Sequence, residues 1–281
     1  MTELLLVALK VSVGVLILAI GLGATFADLL YIWRRPALLL RSLLAMYVLV
    51  PLAAVLLVSV LPMSQATKAG LLVLAVSAGA PLLPRKLGAF GSDAYVFSLV
   101  VLSSLLAIVL VPAWVALAAR HFEVATQLEP SIVAAIIAKS FLLPLMAGLV
   151  LRKLFPAFGE AWADRLLALA GIVLGVSALV LLATHWQVFV GMLNLGMLSL
   201  LLLLLAALAI GHGLGGPSAD DRTALAVSCA TRHVGLAVLV ASAFPGPKTT
   251  VLIASYIVAS ALVSIPYLKW RRQVSARRAG A

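Results

Sequence analysis

The chain has 281 residues, of which 64% are hydrophobic and only 10% charged, with a formal net charge of +11 at pH 7. Soluble domains carry about 25% charged and about 45–50% apolar residues, so this composition excludes a water-soluble core and makes lipid the solvent. The basic residues stand in short groups between apolar stretches rather than on one face with interleaved aromatics, which argues against a nucleic-acid partner.

A helix needs about 20 apolar residues to cross the hydrocarbon core. Nine windows meet that demand: 4–31, 37–61, 67–84, 94–118, 131–151, 163–186, 190–213, 222–244 and 248–268. The expectation is an all-α polytopic membrane protein with about nine transmembrane helices, forming one domain over residues 1–281. Met1 to Trp33 lacks a basic leader and runs too long for a signal-peptide core, so it reads as the first span. The third window is interrupted by Gly79, Pro81 and Pro84 in Ser77-Ala78-Gly79-Ala80-Pro81-Leu82-Leu83-Pro84. Prolines remove backbone donors and disfavour helix just before them. The fifth window holds Lys139, about 12 Å deep at 1.5 Å per residue. The eighth contains Ser228-Cys229-Ala230-Thr231-Arg232-His233-Val234-Gly235, a second and weaker interruption resting on Gly235. The single Cys229 offers no disulfide framework, and no metal-ligand spacing is visible. No cofactor and no metal is expected.

Loop charge orients the spans. One alternate set of loops collects Arg34, Arg35, Arg41, Arg85, Lys86, Arg152, Lys153, Arg165, Arg222, Lys269, Arg271, Arg272, Arg277 and Arg278. The other set has only Lys10, Lys68, Arg120 and Lys248. The richer set is expected in the cytoplasm, which puts the N-terminus outside and the C-terminus inside a plasma or inner membrane. The basic tail suits contact with anionic lipid.

Two basic residues fit neither set. Arg232 sits near the centre of the eighth window, where a lone charge costs roughly 2.5–3.5 kcal/mol on insertion scales. It cannot shed its proton, and about 15 Å of hydrocarbon separates the midplane from water. All nine acidic residues (Glu3, Asp28, Asp93, Glu123, Glu129, Glu160, Asp164, Asp220 and Asp221) fall in loops or near span ends. Arg232 therefore faces either a bound anion or exposed backbone carbonyls at the helix break. Lys139 either lines the same site or snorkels to the interface. His233 either titrates or is simply hydrogen-bonded. Candidate substrate-binding residues are Arg232, His233, Thr231, Ser228, Lys139 and Ser77, with helix breaks at Gly79, Pro81, Pro84 and Gly235.

Secondary carriers bind substrate near the midplane between interrupted helices of repeats with opposite orientation. The third and eighth spans are five apart, and the spans after them share a late proline, Ser104 to Pro112 and Ser260 to Pro266. The pattern is that of inverted repeats with two broken crossing helices, the first copy lacking its opening helix.

The run from Gly21-Leu22-Gly23-Ala24-Thr25 through Arg34-Arg35-Pro36, Pro51 and the broken third span to Pro112 resembles the first half of the bile acid:sodium symporter family. Ser228 to Ala241 resembles that family's second interrupted helix. The resemblance implies a core (roughly 37–118 and 190–268) that moves against a panel (roughly 4–31 and 131–186). It also implies sodium sites built partly on a Glu and a Gln, whose matching positions here are Ser228 and Arg232. The family's Ser-Asn pair after the first break becomes Leu83-Pro84, and its hydroxyl positions on the next helix become Phe97 and Val101. An arginine repels sodium, so sodium coupling is expected to be lost, leaving a proton or no coupling ion. The function expected is secondary transport of a small carboxylate-type anion. Alternatives are a membrane anion sensor and an intramembrane enzyme. The enzyme would have to draw on His121, His185, His212 and His233, which are scattered over different spans and loops.

Overall fold

The computed structural model describes residues 2–77, 93–122, 130–192, 195–232, 237 and 248–279. Among these residues the chain is all helical. The principal helices among them are α1 Thr2–Gly23, α2 Pro36–Val60, α3 Gln65–Val76, α4 Asp93–Phe122, α5 Pro130–Leu154, α6 Pro156–Thr184, α7 Leu195–Leu214, α8 Ala219–Ala230 and α9 Lys248–Ala279.

By length and composition four described helices are able to cross a bilayer: α2, α6, α7 and most of α9. A fifth follows if the two halves of α4, Ala94–Ser103 and Leu105–Trp114, make one span bent by 45°. The outer surface agrees. Leu56, Val109, Leu143, Ile172 and Leu262 all stand at least 64% exposed on different helices, a display of apolar side chains that only lipid tolerates. The chain is an integral membrane protein.

Helices without a hydrophobic drive between them approach through small residues. α1 meets α5 where Gly21 faces Gly148. A Cβ on Gly21 would stand 2.5 Å from the Leu145 carbonyl, and one on Gly148 would strike the Leu18 carbonyl. α7 meets α8 at Gly211, whose Cβ would lie 2.5 Å from Ala226 Cα. These contacts divide the packing. α1, α5 and α6 pack on one another, α2, α3, α7, α8 and α9 pack on one another, and α4 lies between, against α5, α3 and α8. The two groups also touch where α6 meets α9.

Polar contacts gather the helix ends at two levels. At one level Arg35, before α2, pairs with Asp221 of α8 at 3.5 Å. Arg271 of α9 donates to Thr223 Oγ1 at 2.8 Å and to the Ala219 carbonyl at 2.9 Å. Gly159, near the start of α6, lies against the Leu22 carbonyl at the end of α1. At the other level Thr249 of α9 donates to the Ala66 carbonyl of α3 at 3.3 Å, and Gly196 of α7 faces Thr67. Gly216, at φ +82°, turns the chain between α7 and α8, and its carbonyl holds the Arg222 guanidinium.

α3 and α8 share a local design. Each has twelve residues and a serine N-cap: Ser64 accepts from the Thr67 N–H, Ser218 from the Asp221 N–H. Each ends in a hydroxyl residue outside helical geometry, Ser77 (φ −75°, ψ 73°) and Thr231 (φ −102°, ψ 101°). The hydroxyl of each bonds back to the carbonyl four residues earlier, Val73 and Val227, at 2.6 Å. Corresponding residues stand 154 positions apart, as do Pro112 and Pro266. Nine of the twelve residues are buried in each helix. Gly79, Pro81, Pro84 and Gly235 lie outside the described residues.

Candidate functional site

The second of these helix ends carries the charge. Arg232 directly follows the last turn of α8 and is only 3% exposed. Its backbone N–H donates to the Tyr256 hydroxyl of α9, and that hydroxyl donates onward to the Ala230 carbonyl at 2.6 Å. Ala230 O would ordinarily wait for a donor four residues on, beyond the end of the helix. One tyrosine thus satisfies a carbonyl and an N–H that the break has freed.

The guanidinium reaches α2. Nη1 and Nη2 each donate to the Met46 carbonyl at 3.2 Å. That oxygen lies in a π-helical stretch, Leu44–Leu49, within α2. There the Val50 N–H reaches back five residues to Ala45 O. The next donor in that register is Pro51, which has no N–H. The neighbouring Tyr47 carbonyl loses the same proline as its α-helical donor and takes the Trp114 indole N–H at 3.2 Å instead. The Tyr47 hydroxyl in turn donates to the Ser103 carbonyl of α4, at the residue where α4 bends. A side chain entering the backbone ladder is an ordinary cause of such a bend.

The positive charge has no carboxylate beside it among the described residues. Ion pairs elsewhere include Arg35 with Asp221 and Arg152 with Glu160. Asp28 is taken up by a capping box, accepting from both the Thr25 N–H (2.9 Å) and the Thr25 hydroxyl (2.7 Å). The guanidinium bonds to Met46 with its two terminal nitrogens, while the buried Nε has no partner among the described residues. Ser228 Oγ, buried four residues earlier, also has none. An unpartnered Nε edge suits a carboxylate, which accepts two parallel bonds from an arginine.

Of the other expected residues, Thr231 is half-buried beside Arg232, and Ser77 is fully buried at the matching end of α3. Lys139 is exposed on α5, in the helix group away from Arg232. His233 lies outside the described residues. No group of three or more potential metal ligands occurs among the described residues.

Met46, Tyr47, Trp114 and Tyr256 were not expected. Their signals were present all the same: a proline at 51 inside an apolar span leaves carbonyls without donors, and a tyrosine deep in a span needs a partner for its hydroxyl.

The sequence model of the sodium bile acid symporter family matches residues 10–210. The match runs from α1 into α7 and ends before α8, so Arg232 lies beyond it. No curated protein matches the chain.

Proposed function

The chain belongs to the sodium bile acid symporter family, and we propose that it is a secondary carrier of a small carboxylate-type anion held by Arg232. One observation carries the reading: among the described residues a permanently charged guanidinium, 97% buried, has no carboxylate beside it and no partner for its Nε edge. Burying an uncompensated charge is expensive, and a bound anion offsets that cost.

The anion sits between the two helix ends, with Arg232 as its main contact and Ser228, Thr231 and Ser77 supplying hydroxyls. His233 and Lys139 complete the candidate set, Lys139 from the α1, α5 and α6 group. The helices cross the membrane nine times with the N-terminus outside. The level holding Arg35, Arg41, Arg222 and Arg271 faces the cytoplasm. The 154-residue offset supports two inverted repeats, α1–α4 and α6–α9, with α5 unmatched. α1, α5 and α6 form a panel against which the remaining helices rock. Sodium is not the coupling ion, because Arg232 repels it.

The bonds from Arg232 to Met46 O favour a second reading, in which the arginine only caps a helix defect. The two separate in one experiment. The purified protein is unfolded thermally against a panel of small organic anions, in sodium and in potassium, beside Arg232→Gln. A ligand at 100 times its Kd stabilises by roughly 2.7 kcal/mol. A rise of the midpoint in both salts, lost in the variant, is expected. Stabilisation that survives in the variant leaves Arg232 a cap, and stabilisation only in sodium overturns the coupling assignment.

A further inference from the structure

A carbonyl oxygen without a donor from its own helix, buried in the membrane interior, is a neutral acceptor waiting for a donor or a cation. Met46 O is such an oxygen. The π register spends the Val50 N–H on Ala45 O, Pro51 has no N–H to offer next, and Met46 is completely buried. What it receives is a permanent cation, from a residue 186 positions away. The hydroxyls close to that cation are already committed: Tyr256 is fixed by Ala230 O and by the Arg232 N–H, and Tyr47 by Ser103 O. Ser228 Oγ is buried with no partner among the described residues.

We infer that the π turn of α2 and the end of α8 form a binding site for a compact monovalent cation of guanidinium type, which the side chain of Arg232 fills from within. The chain carries its cation covalently. The acceptor is a backbone oxygen, so no mutation of an acidic residue creates or removes the site. The site needs no ion gradient while Arg232 occupies it, and it becomes an ordinary ligand site when the side chain is removed. The assignment is independent of the transported solute and is read without one.

The test is chemical rescue of Arg232→Gly in detergent. Thermal unfolding is followed against guanidinium, methylguanidinium and sodium, all as chlorides at one ionic strength, and against urea, which is neutral and has nearly the shape of guanidinium. Wild type is run in parallel to fix the ordinary denaturing effect of each solute. Guanidinium and methylguanidinium are expected to raise the variant's midpoint saturably at concentrations that leave wild type unmoved, with urea inert. Sodium is expected to be inert, and stabilisation by sodium equal to that by guanidinium overturns the guanidinium-type assignment. Equal stabilisation by urea, or no stabilisation by any cation, overturns the assignment.

Pro51→Ala supplies the missing N–H and provides the second measurement. The double variant Pro51→Ala/Arg232→Gly is expected to be more stable than Arg232→Gly and to ignore guanidinium. If Arg232→Gly cannot be recovered folded, recovery of the double variant sustains the assignment and its failure overturns it. A negative anion panel on wild type bears only on the transported solute, so the two failures are distinguishable.

Discussion

The ends of α3 and α8 are built alike and do different things. Both follow a twelve-residue helix with nine buried residues, both start from a serine cap, and both close on a hydroxyl bonded to the carbonyl four residues back. At the first, the described chain ends with Ser77, whose hydroxyl has its partner. At the second, Thr231 hands over to Arg232, which needs a carbonyl from α2 and a tyrosine from α9 to be held. The lesson is that a charge at such a stop recruits groups from helices distant in sequence, whatever the local chemistry that closes the helix.

The largest way to break this comparison is Tyr256→Phe. It leaves Ala230 O and the Arg232 N–H without their shared hydroxyl, and an orphaned buried group costs about 1–3 kcal/mol. A clear fall in the unfolding midpoint is expected, with loss of any anion stabilisation. An unchanged midpoint means the second end stands without its tyrosine.

A smaller effect sharpens the likeness. Ser77→Ala and Thr231→Val each remove one closing hydroxyl bond, worth about 1 kcal/mol net. Equal falls in stability are expected. If Thr231→Val costs several times more, the two ends are not equivalent.

The caps give the smallest effect. Ser64→Ala and Ser218→Ala should each cost about 0.5–1 kcal/mol, measured as loss of stability in the same detergent. A cost at only one of them would show that the shared spacing hides different helix starts.

Much of this architecture was legible from hydropathy. The described chain is helical, because a stretch of that composition has no alternative to satisfying its backbone internally in lipid. The stop at Ser77 was legible from the prolines that follow it. The stop at Thr231 rested on Gly235 alone, and the outlier there was the charge of Arg232 rather than any breaker. The direction in which Lys139 points was not legible. A helix apolar all round carries no face for the pattern to report, and only packing against α1 and α6 leaves that side chain exposed.

The amino-acid sequence alone determined that this chain lives in lipid, that it is helical, and that one arginine falls inside an apolar stretch. These follow from the free energy of transferring side chains and backbone into hydrocarbon, which is local and additive along the chain. Only the tertiary structure decided what meets that arginine. The Met46 carbonyl is freed by a proline five residues after it and claimed by a side chain 186 residues away, and no local rule links the two. A buried charge is settled by whichever donors and acceptors the folded helices bring within hydrogen-bond reach.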